Sequence, residues 1–254
     1  MLTALTGLTA LLVGTGLLYG RGDWSSALLG WAVMGAFFYL LPPSIRWSDS
    51  EEPSYRVFSL AILTVVASVL QSFLLLSGVL TISLWFWLEK GLDEVAKARL
   101  RRLLILPFCA LPWLSYDLSA IGWYFRLTAA WFTDALLSVM GFEVTRSGTE
   151  LQLATFCLRV DPACSGLSFL HALILVGAYL IACSDRQSRP WTFYLWLFPL
   201  AWFANSLRVT LLALAALTWG PQSVAGDIHL WIGWACFVAL FALWWRFVGE
   251  RAVQ

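Results

Sequence analysis

Residues 191–218 read WTFYLWLFPLAWFANSLRVTLLALAALT. Apart from Asn205 and Arg208 the stretch is almost wholly apolar, with no alternation between apolar and polar positions. A continuous run of this kind exceeds the ~20 residues that a helix needs to cross roughly 30 Å of hydrocarbon. A membrane strand is shorter and alternates, so a helix is the spanning element. Similar runs recur near residues 2–20, 25–42, 56–75, 76–89, 103–120, 166–183 and 229–247. The fold class expected is all-α, a polytopic transmembrane helical bundle of about eight spans. It forms a single integral membrane domain over 1–254, with N-terminal spans in 1–100 and the chemistry-bearing core in 101–254.

Composition agrees. Of 254 residues 60% are hydrophobic and 12% charged, far from the usage of soluble domains. The net charge of +1 and the absence of a basic, aromatic-interleaved patch give no sign of nucleic acid. Trp24, Trp47, Trp113, Trp191, Trp219, Trp244 and Trp245 stand near the ends of apolar runs, as interfacial anchors do. The N-terminal run lacks a basic leading segment and reads as a retained span rather than a signal peptide.

Two stretches resist simple division. The tract Val57–Leu88 is long for one span and short for two, with Ser77-Gly78 as its visible break. The stretch 121–140, with Trp123, Tyr124, Arg126, Trp131 and Asp134, is polar enough to be expected along the outer interface.

Lys90, Lys97, Arg99, Arg101 and Arg102 place the loop 90–102 in the cytoplasm; Arg186, Arg189, Arg246 and Arg251 agree. The segment 141–163 then faces outward as a short extracytoplasmic piece, together with the loop 219–228. Cys164 and His229 open their spans at that same face, with Arg208 in the span between, so the three are expected to converge in the outer half of the bundle.

These residue types in that pattern point to thiol chemistry. Cys164 lies in Asp161-Pro162-Ala163-Cys164-Ser165-Gly166-Leu167, where Pro162 and Gly166 suit a turn feeding a helix. The helix dipole is expected to lower the thiol pKa, and the backbone N–H groups of Ser165 and Gly166 to be free to hold an oxyanion. An arginine in an apolar helix costs at least ~2.5 kcal/mol on insertion scales. Arg208 therefore needs a partner or a function, and Asn205, one turn earlier on the same face, can support it by hydrogen bonding. His229 suits a general acid–base with Asp227 as a loose orienting group, whereas His171 reads as a hydrogen-bonded core histidine.

Cys109, Cys183 and Cys236 lie within apolar runs and read as small core residues. A Cys157–Cys164 disulfide would block the nucleophile and is not expected. No C-x-x-C pair or cysteine–histidine cluster suggests zinc or iron–sulfur, and no metal or organic cofactor is implied.

Ala163-Cys164-Ser165-Gly166-Leu167, Asn205-Ser206-Leu207-Arg208-Val209 and His229 ahead of Gly233 resemble the exosortase/archaeosortase family over roughly residues 100–250. The resemblance implies a membrane cysteine peptidase or transpeptidase of the bacterial or archaeal cytoplasmic membrane, with its active site facing outward. Its partners would be exported proteins bearing a C-terminal tripartite signal: a short motif (Pro-Glu-Pro in the best-known bacterial class), a transmembrane helix and a basic tail. Membrane lipids would surround it, and a surface polysaccharide or lipid could act as acceptor. In that likeness Cys164 matches the nucleophile, Arg208 the arginine and His229 the histidine.

Two other classes of function fit the composition less well. A small transporter would need internal repeats or intramembrane carboxylates, and neither is evident. A membrane assembly factor without catalysis would tolerate loss of the Cys164 thiol.

Overall fold

In the computed structural model the described residues are 2–41, 53–90, 92–153, 156–183, 195–222 and 227–246. The helices are α1 (Leu2–Gly20), α2 (Trp24–Leu40), α3 (Ser54–Leu70), α4 (Phe73–Leu88), α5 (Glu94–Leu103), α6 (Ile105–Phe108), α7 (Trp113–Tyr116), α8 (Ser119–Val139), α9 (Leu167–Cys183), α10 (Leu197–Trp219) and α11 (Asp227–Trp244). Between α8 and α9 lie strands β1 (Val144–Ser147), β2 (Glu150–Leu153) and β3 (Cys157–Arg159), followed by a 3-10 turn, Pro162–Cys164. The bundle is therefore helical, with one small antiparallel sheet of order β1-β2-β3 in the segment expected to be extracytoplasmic. By length and composition α1 and α10 can each cross a membrane, and five further apolar helices are shorter.

Contacts divide the chain into two compact units, one of Met1–Asp117 with Ile174–Asp185, the other of Leu118–Leu173 with Arg186–Gln254. In the first, α1 packs against α2, α3 and α4. Small residues allow the close approach that drives helix association in lipid: a Cβ on Gly14 would lie 2.5 Å from a methyl of Leu111. Where α1 joins α2, Asp23 accepts the Tyr116 hydroxyl at 2.9 Å and the Ser26 amide at 3.1 Å.

The first unit corrects two expectations. Val57–Leu88 is two helices, but they part at Gln71-Ser72 and not at Ser77-Gly78. Gln71 adopts a left-handed conformation at φ 52° to close α3, and Ser72 caps α4 through the Leu75 amide. The second concerns 103–120, which is no continuous span: α6 and α7 are single turns. Pro107 and Pro112 each lack the N–H that a helix interior requires.

The second unit corrects a further expectation. The stretch 121–140 belongs to α8, 21 residues or about 31 Å long. Its buried residues, Gly122, Phe125, Ala129, Ala130, Thr133 and Leu137, recur every three or four positions and form one packed face. That face lies along α10: Phe125 meets Phe198, Trp202 Nε1 donates to the Thr128 hydroxyl at 2.8 Å, and the Thr133 and Thr210 hydroxyls pair at 3.0 Å. The pairs advance together along both chains, so α8 and α10 run parallel. A polar stretch with one tightly packed face is thus a bundle helix, and Trp123, Tyr124 and Trp131 occupy its exposed side. Among the expected anchors, Trp24 and Trp219 are exposed whereas Trp244 is buried; Trp47 and Trp191 lie outside the described residues.

Candidate active site

The sheet delivers the chain to the site. Leu151, Leu153 and Val160 are buried beneath it, against α8 and α10. From β3 the backbone turns once: the Cys164 amide donates to the Asp161 carbonyl at 2.8 Å and the Ser165 amide to Pro162 at 3.1 Å. Gly166 then takes φ +81°, open to glycine at no steric cost, and α9 begins.

Asn205 of α10 fastens this turn. Its amide nitrogen donates to the Cys164 carbonyl at 2.7 Å. Its Cβ also sits where a side chain at 166 would have to go, 2.8 Å from an ideal Cβ there. Glycine at 166 is required twice over, by backbone conformation and by the closeness of α10.

Three residues on, Arg208 sends Nη2 to His229 Nε2 at 2.6 Å, and Cys164 Sγ lies 3.8 Å from the same nitrogen. A guanidinium only donates, so Nε2 is the acceptor and the proton of the neutral imidazole sits on Nδ1. The guanidinium carbon lies 5.2 Å from the Phe169 ring centre, within cation–π range. Arg208 Nε is buried without a hydrogen-bond partner among the described residues, as is Asn205 Oδ1. Two buried polar atoms left unsatisfied beside a thiol mark the place where an incoming group gains most from binding.

Two cavities meet at His229. One, of about 260 Å³, is largely apolar and lies against Phe169, Ala172, Arg208, Trp234 and Phe237. The other, of about 240 Å³, holds Cys164 and is bordered by Cys157, Leu158, Arg159 and Asp161. Among the described residues no group of three or more His, Cys, Asp or Glu side chains could hold a metal ion.

The structure revises several expectations for this site. The Cys164 thiol is buried among Ala129, Ala130, Val160 and Val209. Burial pushes it above the ordinary cysteine range, the Arg208 charge pulls it down and Asp161 adds to the rise; burial prevails over the lowering expected from a helix start. The Ser165 amide is committed to Pro162 and is not a free oxyanion donor. Arg208 stands eleven residues before the end of α10, about 16 Å along the axis.

His171 is buried and borders neither cavity. The side chains of Asp227 and Cys183 lie outside the described residues, while Cys109, Cys157, Cys164 and Cys236 form no disulfide among the described residues. Two contributors escaped the sequence reading. Phe169, beneath the guanidinium, is one of 17 phenylalanines, and Asp161 reads as an ordinary turn residue before proline.

A helical bundle holding a thiol, an imidazole and a guanidinium around one nitrogen defines a membrane protein with a candidate cysteine-dependent centre. Residues 5–246 match the family described as transmembrane exosortase, and the chain belongs to that family of membrane proteins. No curated protein and no solved structure matches it.

Proposed function

We propose that the protein is a cysteine peptidase or transpeptidase of the cytoplasmic membrane that cleaves C-terminal sorting signals of exported proteins at the outer face. The observation that carries this reading is the 3.8 Å approach of Cys164 Sγ to His229 Nε2 inside a cavity, with Arg208 on the same nitrogen.

The chemistry follows from these atoms. When a scissile carbonyl enters, its oxygen draws the guanidinium of Arg208 away from His229. The freed Nε2 accepts the thiol proton, and Sγ attacks the carbonyl carbon to give a tetrahedral oxyanion facing Arg208. Collapse of this intermediate breaks the C–N bond, the imidazolium protonates the leaving amine, and a thioester remains on Cys164. An amine or hydroxyl acceptor, or water, then attacks the thioester and returns the proton to the thiol.

Orientation supports an outward site. The basic residues of 90–102 favour the cytoplasm; within the second unit α8 ends at the sheet, and α10 runs parallel to α8. Cys164 and His229 each follow one of these two helices. A substrate with its own transmembrane helix can dock laterally and lower its cleavage motif into the cavity.

The test is processing, in cells, of a reporter carrying Pro-Glu-Pro, an apolar helix and a basic tail. Expected are cleavage by the wild type, none by Cys164→Ser, and a hydroxylamine-sensitive covalent adduct on the wild type alone. Equal cleavage by Cys164→Ser would falsify the reading.

A further inference from the structure

The edge of the sheet beside Cys164 is a peptide-binding site: we propose that the segment of substrate around the scissile bond adds to β3 as a fourth, extended strand. This rests on the reading of Cys164 as nucleophile and specifies how the substrate is held.

Pairing in the sheet decides which backbone groups are spoken for. Leu153 and Phe156 exchange amide hydrogen bonds at 2.9 and 3.3 Å, and the Val160 amide donates to Thr149 at 3.0 Å. Between them Leu151 stands opposite Leu158, and Glu150 opposite Arg159. In an antiparallel ladder alternate residues turn their peptide groups toward the partner strand. Positions 156, 158 and 160 therefore face β2, and positions 157 and 159 turn their N–H and C=O outward. Among the described residues β3 pairs with β2 alone, so these outward groups form a free edge.

That edge opens on the cavity that holds the thiol. Cys157, Leu158, Arg159 and Asp161 border it together with Cys164 and His229, so β3 lies along the cavity rather than touching it at a point. Two donors and two acceptors repeating every second residue, roughly 7 Å apart, match the repeat of an extended peptide. Strand addition takes affinity from the main chain and specificity from alternate side chains. It also suits a cleavage enzyme, because an extended backbone exposes its carbonyl to the nucleophile. The other edge, β1, packs against α8.

The variants Cys157→Pro and Cys157→Ala separate backbone from side chain. Proline removes the outward N–H at 157 and leaves the β2 pairing intact, whereas alanine keeps the N–H. With the purified full-length protein in proteoliposomes and the same tripartite reporter, KM for Cys157→Pro should exceed that for Cys157→Ala roughly tenfold, the effect of one lost hydrogen bond. Iodoacetamide labelling of Cys164 should match in the two variants. Equal KM values with normal labelling would overturn the proposal, while loss of cleavage in Cys164→Ser would leave the nucleophile standing.

If the proline variant fails to fold, cross-linking decides. In the Cys164→Ser background, single cysteines placed at successive reporter positions should form disulfides with Cys157 at every second position. Cross-linking at all positions alike, or at none, would overturn strand addition. Undiminished processing by Cys164→Ser would instead remove the reading beneath it.

Discussion

Arg208 donates to His229 Nε2 at 2.6 Å, so the lone pair needed to receive the Cys164 proton is already occupied. The thiol stands 3.8 Å from that nitrogen, too far for a strong hydrogen bond. The resting arrangement holds a protonated thiol beside a neutral imidazole, not a preformed ion pair. Arrival of a carbonyl or oxyanion at Arg208 exchanges one partner for another and makes the base available.

Reactivity should therefore rise late with pH. A thiol pushed up by burial carries less thiolate at any given pH, so the rate of iodoacetamide labelling should show its midpoint above the ordinary cysteine value of about 8.5. Arg208→Gln removes the charge that opposes burial, and the midpoint should climb further. A wild-type midpoint near 6 would instead signal a thiolate–imidazolium pair and contradict this arrangement.

Substitution of Arg208 by lysine should lower kcat about a hundredfold, the usual cost of losing one oxyanion stabiliser. An ammonium cannot keep a flat contact with Phe169 and reach His229 at the same time. Single-turnover cleavage of the reporter measures this directly; a loss under threefold would mean that Arg208 only fills space.

Cys164→Ser should reduce cleavage at least about a thousandfold with little change in Tm, since the side chains are close in size. Cys164→Ala should show the same loss of activity and a lower Tm, because the thiol packs against Ala130 and Val209. Residual activity in the serine variant above that of the alanine variant would show that a hydroxyl can replace the thiol.

Gly166→Ala should destabilise the second unit by about 1–3 kcal/mol, through its positive φ and the 2.8 Å approach to Asn205. Asn205→Gly in the same chain removes the collision but not the backbone strain, and also takes the hydrogen bond from the Cys164 carbonyl. Rescue of Tm should therefore be incomplete. Full rescue would show that strain at 166 is negligible.

The Thr133–Thr210 hydroxyl pair offers a check on the parallel packing of α8 with α10. A double-mutant cycle to valine should give a coupling of about 0.6 kcal/mol, the average for hydrogen bonds between helices in a membrane. Zero coupling would argue against direct contact of the two hydroxyls.

The sequence by itself determined the class of fold and singled out the residues of the candidate site. Continuous apolar runs without alternation require helices wherever water is absent, because each helix satisfies its own peptide groups. Cys164, Asn205, Arg208 and His229 stood out because thiols, amides and charges at the ends or middles of such runs are costly to place without a use. Asn205 was legible as a support, and the structure shows it holding the Cys164 carbonyl.

Other features depended on neighbours distant along the chain. That α8 packs as a bundle helix follows from how one face of it meets α10, which a sum of polarity along a window does not record. The rise of the Cys164 pKa comes from burial among Ala129, Val160 and Val209, side chains brought there by three separate segments of the chain. The competition for His229 Nε2 and the free edge of β3 are likewise products of packing and register. Those quantities depend on distances across the fold, and residue spacing along a chain sets them only after the chain has closed on itself.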